Sequence, residues 1–159
     1  MSQIVLIQGK IFNSLYSAKS QGKSRLERLR SAGLLDEEVE YWRNQLPLPV
    51  RPGTDFVITD DTFFPTLMMQ FSYFNSLTMI HRVSSLHGGP WTEKHDDSFL
   101  KVLKDSDVNP RVLDGGAICV NAAREVIKLL DKVSSVIGMI DLNMVRFVSL
   151  HLESVPISC

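Results

Sequence analysis

A chain of 159 residues is long enough for one ordinary domain with its own core, and 44% hydrophobic with 22% charged residues is the balance of a globular fold, not a disordered or fibrous one. A formal net charge of −1 supplies no basic field to draw the chain onto nucleic-acid phosphates or an anionic membrane. Cys119 and Cys159 are too few and too far apart for a zinc cluster, a CxxC redox pair or a disulfide framework, and no stretch approaches the roughly 18 uninterrupted apolar residues of a membrane span.

The N-terminus lacks the basic region and cleavage site of a secretion signal and reads as helix. Ile4, Ile7, Ile11 and Leu15 recur at helical spacing, widened by Phe12 and Tyr16, which predicts an amphipathic helix to about Lys19. Ser24-Arg25-Leu26-Glu27 has capping-box spacing, so a short second helix is expected from there to about Gly33. Asp36 is a candidate N-cap for a third helix, with Glu37, Glu38 and Glu40 in its first turns and Leu35, Val39, Trp42 and Leu46 as its apolar stripe. Pro47, followed by Pro49 and Pro52-Gly53, stops that helix and opens an extended connector to about Asp61.

From Thr62 the pattern of Phe64, Leu67, Met68, Phe71, Phe74, Leu77 and Ile80, with Pro65 in the first turn, predicts a central buried helix. Residues 84–113 carry Gly88-Gly89-Pro90, Lys94-His95-Asp96-Asp97 and Asn109-Pro110, loop signals around one short helix near 99–103. This segment is expected to be variable and the least ordered. Two further helices are expected at 116–133 and 139–153. No strand-like alternation persists and no repeat is present, so the fold class is all-α: an irregular bundle of about five to seven helices in a single domain over 1–159. The expected core comprises Trp42, Phe71, Phe74, Leu77, Ile80, Ala122 and Val126.

Candidate sites are sparse. His81-Arg82, at the expected end of the central helix, is a polar pair suited either to binding a carboxylate or phosphate or to satisfying the last carbonyls of that helix. Arg124 stands opposite the small Ala122-Ala123 face and is expected to reach a buried carboxylate. His87, His95, Asp96 and Asp97 are the densest group of metal-capable side chains, but no zinc-type spacing organises them, so no metal site is expected. The basic residues Lys19, Lys23, Arg25, Arg28 and Arg30 read as a solvated face. No arrangement suits a nucleophile, and Cys119 reads as a small core residue. Met68, Met69, Met79, Phe71 and Phe74 leave open a second class, a helical small-molecule carrier or enzyme with an apolar pocket. In the last expected helix, Phe147 and Leu150 lie on faces adjoining the stripe Leu142, Val145, Val148 and Leu152. That surplus of apolar area marks a candidate self-association face for a homodimer.

Three stretches, in order, resemble the middle homology region of fungal zinc-binuclear-cluster transcription factors. Leu15-Tyr16-Ser17 with the run from Leu35 to Pro47 is similar to the family's helix carrying a Trp, three variable residues and Leu-Pro, here Trp42, Leu46 and Pro47. Tyr73-Phe74-Asn75-Ser76-Leu77-Thr78-Met79-Ile80-His81-Arg82 is similar to its helix ending in His-Arg-Pro, with Val83 in place of the proline. The run from Cys119 to Leu130 is similar to its Cys-x-x-Ala-Ala-Arg helix. The resemblance implies a non-enzymatic regulatory domain of a nuclear transcription factor. Its implied partners are other parts of that factor, coregulators or a small-molecule effector, with no direct contact to nucleic acid or membrane. No cofactor is implied within these residues, since zinc belongs to the family's six-cysteine DNA-binding module, which they lack. The expectation is a fragment of a longer domain.

Overall fold

The structure, a computed structural model, describes residues 2–54, 63–88 and 108–137. The described residues contain no strand. Their helices are α1 (Ser2–Ile11), a π-helical turn (Phe12–Tyr16), α2 (Ala18–Gln21), α3 (Arg25–Gln45), a 3-10 turn (Leu48–Val50), α4 (Phe63–Gly88), a second 3-10 turn (Pro110–Val112) and α5 (Gly115–Ile137). The fold class is all-α. The chain divides into a first unit, Met1–Val126, and a second that begins at Ile127 within α5.

In the first unit α1, α3 and α4 pack against one another. α1 buries Ile4, Ile7 and Ile11, and the π turn adds Leu15. One helix to Lys19 is not formed. Ser17 is extended, its amide bonds back to the carbonyl of Phe12, and its side chain caps α2 by accepting from the Ser20 amide. The wider π turn brings Leu15 into the core but leaves Phe12 exposed, so Phe12 does not extend the buried stripe.

α3 replaces two expected helices. The capping box at Ser24 is present: the Ser24 side chain accepts from the Glu27 amide, and the Glu27 carboxylate accepts from the Ser24 amide. The helix then runs through Gly33 and Asp36 without interruption to Gln45. Glycine inside a helix costs about 1 kcal/mol relative to alanine, which is why the sequence around Gly33 predicts a stop. Gly33 is instead buried beneath the second 3-10 turn, where an added Cβ would lie 3.0 Å from Cβ of Asn109. Leu29, Ala32, Leu35, Val39 and Trp42 form the buried stripe. Pro47 ends the helix, and the Arg51 guanidinium caps it by donating to the carbonyls of Leu46 and Asn44. The following turn uses Gly53 at φ +80°, a conformation that favours glycine, and buried Gln70 of α4 clasps it by accepting from the Gly53 amide at 3.1 Å.

α4 buries Leu67, Tyr73, Phe74, Leu77, Ile80 and Val83. Phe71 falls beside this arc and is only half-buried. The helix does not end at His81-Arg82 but continues to Gly88, so residues 84–88, expected as loop, are helical. Val83 allows this because, unlike a proline, it keeps its N–H and has no ring to clash with the preceding turn. In α5, Ala122 is buried and Val126 half-buried. The helices expected near 99–103 and at 139–153, with Phe147 and Leu150, lie outside the described residues, as do His95, Asp96 and Asp97.

Candidate functional site

The densest polar constellation among the described residues centres on Asp36. It sits mid-helix on α3 and is 0% exposed. Its Oδ1 lies 2.8 Å from Nε2 of His81 on α4, itself 0% exposed. Its Oδ2 accepts from Nε of Arg111 at 2.7 Å, and Oδ1 accepts a second bond from Nη2 at 3.3 Å. Burial pushes the Asp36 carboxyl up, but the hydrogen bonds from His81 and Arg111 outweigh it and hold the group below its ordinary value. Asp36 is therefore ionised at neutral pH, and His81 must carry its proton on Nε2 in order to donate. The hydrogen bonds to Asp36 raise the pKa of Arg111 in turn.

The second carboxylate is one turn along α3. Glu40 accepts from the Tyr73 hydroxyl at 2.6 Å and from Nη2 of Arg111 at 3.3 Å. Burial, reinforced by the Glu40 charge, raises the Tyr73 hydroxyl so that it remains a donor. Arg43 extends the chain of contacts: its Nη1 lies 3.7 Å from Glu40, its guanidinium carbon 5.6 Å from the Tyr73 ring centroid, and its Nε donates to the Pro52 carbonyl at 2.7 Å. Arg111 arrives on the turn Pro110–Val112, which Asn109 opens by accepting from the Arg111 amide. Asn109 also donates to Glu37 at 3.2 Å, and Val112 is buried. The bare α-carbon of Gly33 is what lets this turn approach α3.

Chemically the arrangement is a closed charge network. Three N–H groups engage the two oxygens of a carboxylate with no exposed surface, so Asp36 offers no face to a substrate. The network joins α3, α4 and the turn before α5, and its work is to hold them in one register.

This geometry revises three readings from sequence. Asp36 is not a helix cap; its acceptor atoms serve partners from distant segments. His81 and Arg82 are not at a helix end: His81 is fully buried against Asp36, and Arg82 is half-buried within α4. Among the described residues Arg124 reaches no buried carboxylate but lies exposed, donating to Oδ1 of Asn121 at 3.0 Å, because it projects from the side of α5 opposite buried Ala122. The arginine that does reach one is Arg111, from a segment read as loop. The one local sign was the pairing of Asn109-Pro110, a 3-10 opening, with an arginine at the next position. Cys119 donates to the Thr78 carbonyl at 3.6 Å. Met68, Met69 and Met79 are half-buried on α4. Among the described residues no group of three or more His, Cys, Asp or Glu side chains is placed to hold a metal ion, and no helix is long and apolar enough to cross a membrane.

The chain is 35% identical over 131 residues, 82% of its length, to a protein of Aspergillus fumigatus named as an ABC-transporter-regulating transcription factor. It is 34% identical over 131 residues to a protein of the same name from Aspergillus oryzae. A Schizosaccharomyces pombe protein, named as an uncharacterized transcriptional regulatory protein, is 27% identical over 141 residues. The chain spans 14% of the length of each Aspergillus relative and 18% of the Schizosaccharomyces one. Over most of its own length it is similar to fungal transcription regulators. No protein-family model matches it, and no solved structure matches it.

Proposed function

We propose that these residues belong to a single helical regulatory domain, the middle homology region, of a fungal zinc-cluster transcription factor acting in the nucleus. The domain is not an enzyme and does not itself touch DNA. It modulates activation through other parts of the factor, coregulators or a small-molecule effector. The observation that carries this reading is the 35% and 34% identity over 131 residues to two proteins named as transcription factors.

The contacts within the first unit support it. The three stretches that resemble the family supply one another's packing partners: Asp36 of the first meets His81 of the second, and Cys119 of the third donates to Thr78 of the second. Those similar residues therefore belong to one tertiary arrangement. A net charge of −1 gives the chain no overall basic field toward nucleic-acid phosphates, which supports a domain that does not contact DNA.

The test is a reporter assay in a fungal host. The chain is placed between a heterologous DNA-binding module and an activation domain, beside the same fusion carrying Asp36→Ala. A reporter output that the intact chain changes and Asp36→Ala restores supports regulation by the folded segment. Equal output from all fusions, or sequence-selective, salt-resistant DNA retention by the isolated chain, overturns the proposal.

A further inference from the structure

The turn Pro110–Val112 is seated on α3 by a notch, a plug and a clasp. The notch is Gly33: the described atoms nearest to where its Cβ would stand belong to Asn109 and Val112, the closest at 3.0 Å. Val112 is the plug, 1% exposed. The clasp is Arg111, whose guanidinium donates to Asp36 and Glu40 while its side chain stays 47% exposed. Hydrogen bonds run on from the turn into α5. The Asp114 amide donates to the Arg111 carbonyl, and the Asp114 carbonyl accepts from the Ile118 amide, so turn and helix are linked through one residue.

This seat differs in kind from the contacts that hold α1. Between 109 and 126 the buried hydrophobic side chains are Val112 and Ala122, against Ile4, Ile7, Ile11 and Leu15 in the N-terminal segment. Polar bonds supply the rest: the Arg111 clasp, Asn109 to Glu37, and Cys119 to the Thr78 carbonyl. An ion pair holds weakly where one partner is wet, because solvent and salt screen the exposed guanidinium. Opening also returns water to a carboxylate whose burial carried a desolvation cost. Gly33 points the same way. Alanine suits a helix better than glycine, so α3 by itself gains nothing from the bare α-carbon, and it is the turn that uses it.

We propose that residues 109–122 form a strap that opens as a unit while α1, α3 and α4 stay packed, baring Gly33, Asp36 and Glu40 of α3. Arg111 latches it and Gly33 sets its fit. In the open state His81 still engages Asp36 and Tyr73 still donates to Glu40, so α3 and α4 keep their match without Arg111. Opening thereby converts a closed charge network into an acidic face on α3.

Native-state hydrogen exchange of the 159-residue chain, with circular dichroism to show that each variant is folded, tests the proposal. The amides of Val112, Leu113, Asp114 and Ile118 are expected to exchange through one shared opening, about tenfold or more faster than those of the buried stretch 35–42 of α3, and faster still as salt rises. Gly33→Ala separates the two elements: strap amides exchange about tenfold faster while α3 is no less protected, because alanine crowds the turn but suits the helix. Arg111→Gln removes the salt dependence of strap exchange and leaves α1 unchanged. Strap amides that exchange only as slowly as the α3 core overturn the proposal, since the segment then opens only by global unfolding. A Gly33→Ala chain in which strap and α3 lose protection together overturns it as well.

Discussion

α1 and α3 both lie against α4, but the two contacts are made of different material. α1 presents Ile4, Ile7 and Ile11, with polar contacts only at its margins, from Gln8 to the Ser72 carbonyl and, beyond the helix, from Tyr16 to the Met79 carbonyl. α3 adds to its apolar stripe two carboxylates, Asp36 and Glu40, matched to His81 and Tyr73 of α4 and bridged by Arg111. An apolar seam stabilises in proportion to area and tolerates small slips. A buried carboxylate is tolerated only where its donors stand, so the α3 seam admits one register. The difference teaches that α1 is held mainly by apolar area, whereas α3 adds to such area the polar matches that fix its register.

The largest effect is expected where α3 itself is dry. Trp42→Ala should cost about 3–5 kcal/mol in chemical denaturation, the usual range for truncating a buried large aromatic. A loss below about 1 kcal/mol would remove Trp42 from the core and from the apolar stripe of α3.

Asp36→Ala comes next, at about 3 kcal/mol, because it removes the acceptor of Nε2 of buried His81 and the principal acceptor of Arg111. Its pH dependence separates the charged seam from the dry one. The folded carboxyl is held below its unfolded value, so its contribution is complete above about pH 4, the ordinary range of an aspartate, and is lost as pH falls through the lower folded value. The stability gap between the native chain and Asp36→Ala should therefore narrow at acid pH, while the Trp42→Ala gap should not narrow in parallel. Parallel pH profiles for the two variants would mean that Asp36 acts by packing and not by charge.

Arg111→Ala is a smaller perturbation. Its side chain is 47% exposed, and solvent screens much of the pair, so about 1–2 kcal/mol is expected. Hydrogen exchange should show faster opening around 109–114 than in α1. Uniform acceleration throughout the first unit would show that Arg111 supports the whole bundle and not only the turn it stands on.

The smallest effect belongs to the margin of the α1 contact. Burial pushes the Tyr16 hydroxyl up to about 12, against the opposing charge of Arg82, so it stays a donor to the Met79 carbonyl. Tyr16→Phe should cost about 1 kcal/mol, the net worth of one such bond, with no change between pH 5 and pH 9. A change of stability across that span would show that the hydroxyl titrates there.

Periodicity and local chemistry made much of the fold legible. The isoleucine stripe of α1, the capping box at Ser24, the stop at Pro47 and the buried run on α4 all depend on residues within a turn or two of one another. The polar network was not legible in the same way. Gly33 and Asp36 carry the local marks of a helix stop and a helix start, and only the turn at Asn109 and the donors His81 and Arg111 turn them into a close contact and a buried acceptor. Arg124 looked like the arginine for a buried carboxylate because small alanines flank it, yet its position on α5 turns it outward.

By itself the sequence determined the helical class, the cap and stop of α3 and the apolar faces that had to be covered. Caps, prolines and helical spacing act through neighbours in the chain and leave their mark there. The tertiary structure alone decided that two expected helices are one, that Asp36 is a hub and that Arg111 reaches it. A carboxylate whose partners stand 45 and 75 residues away is satisfied by the meeting of segments, and that meeting has no local pattern to read.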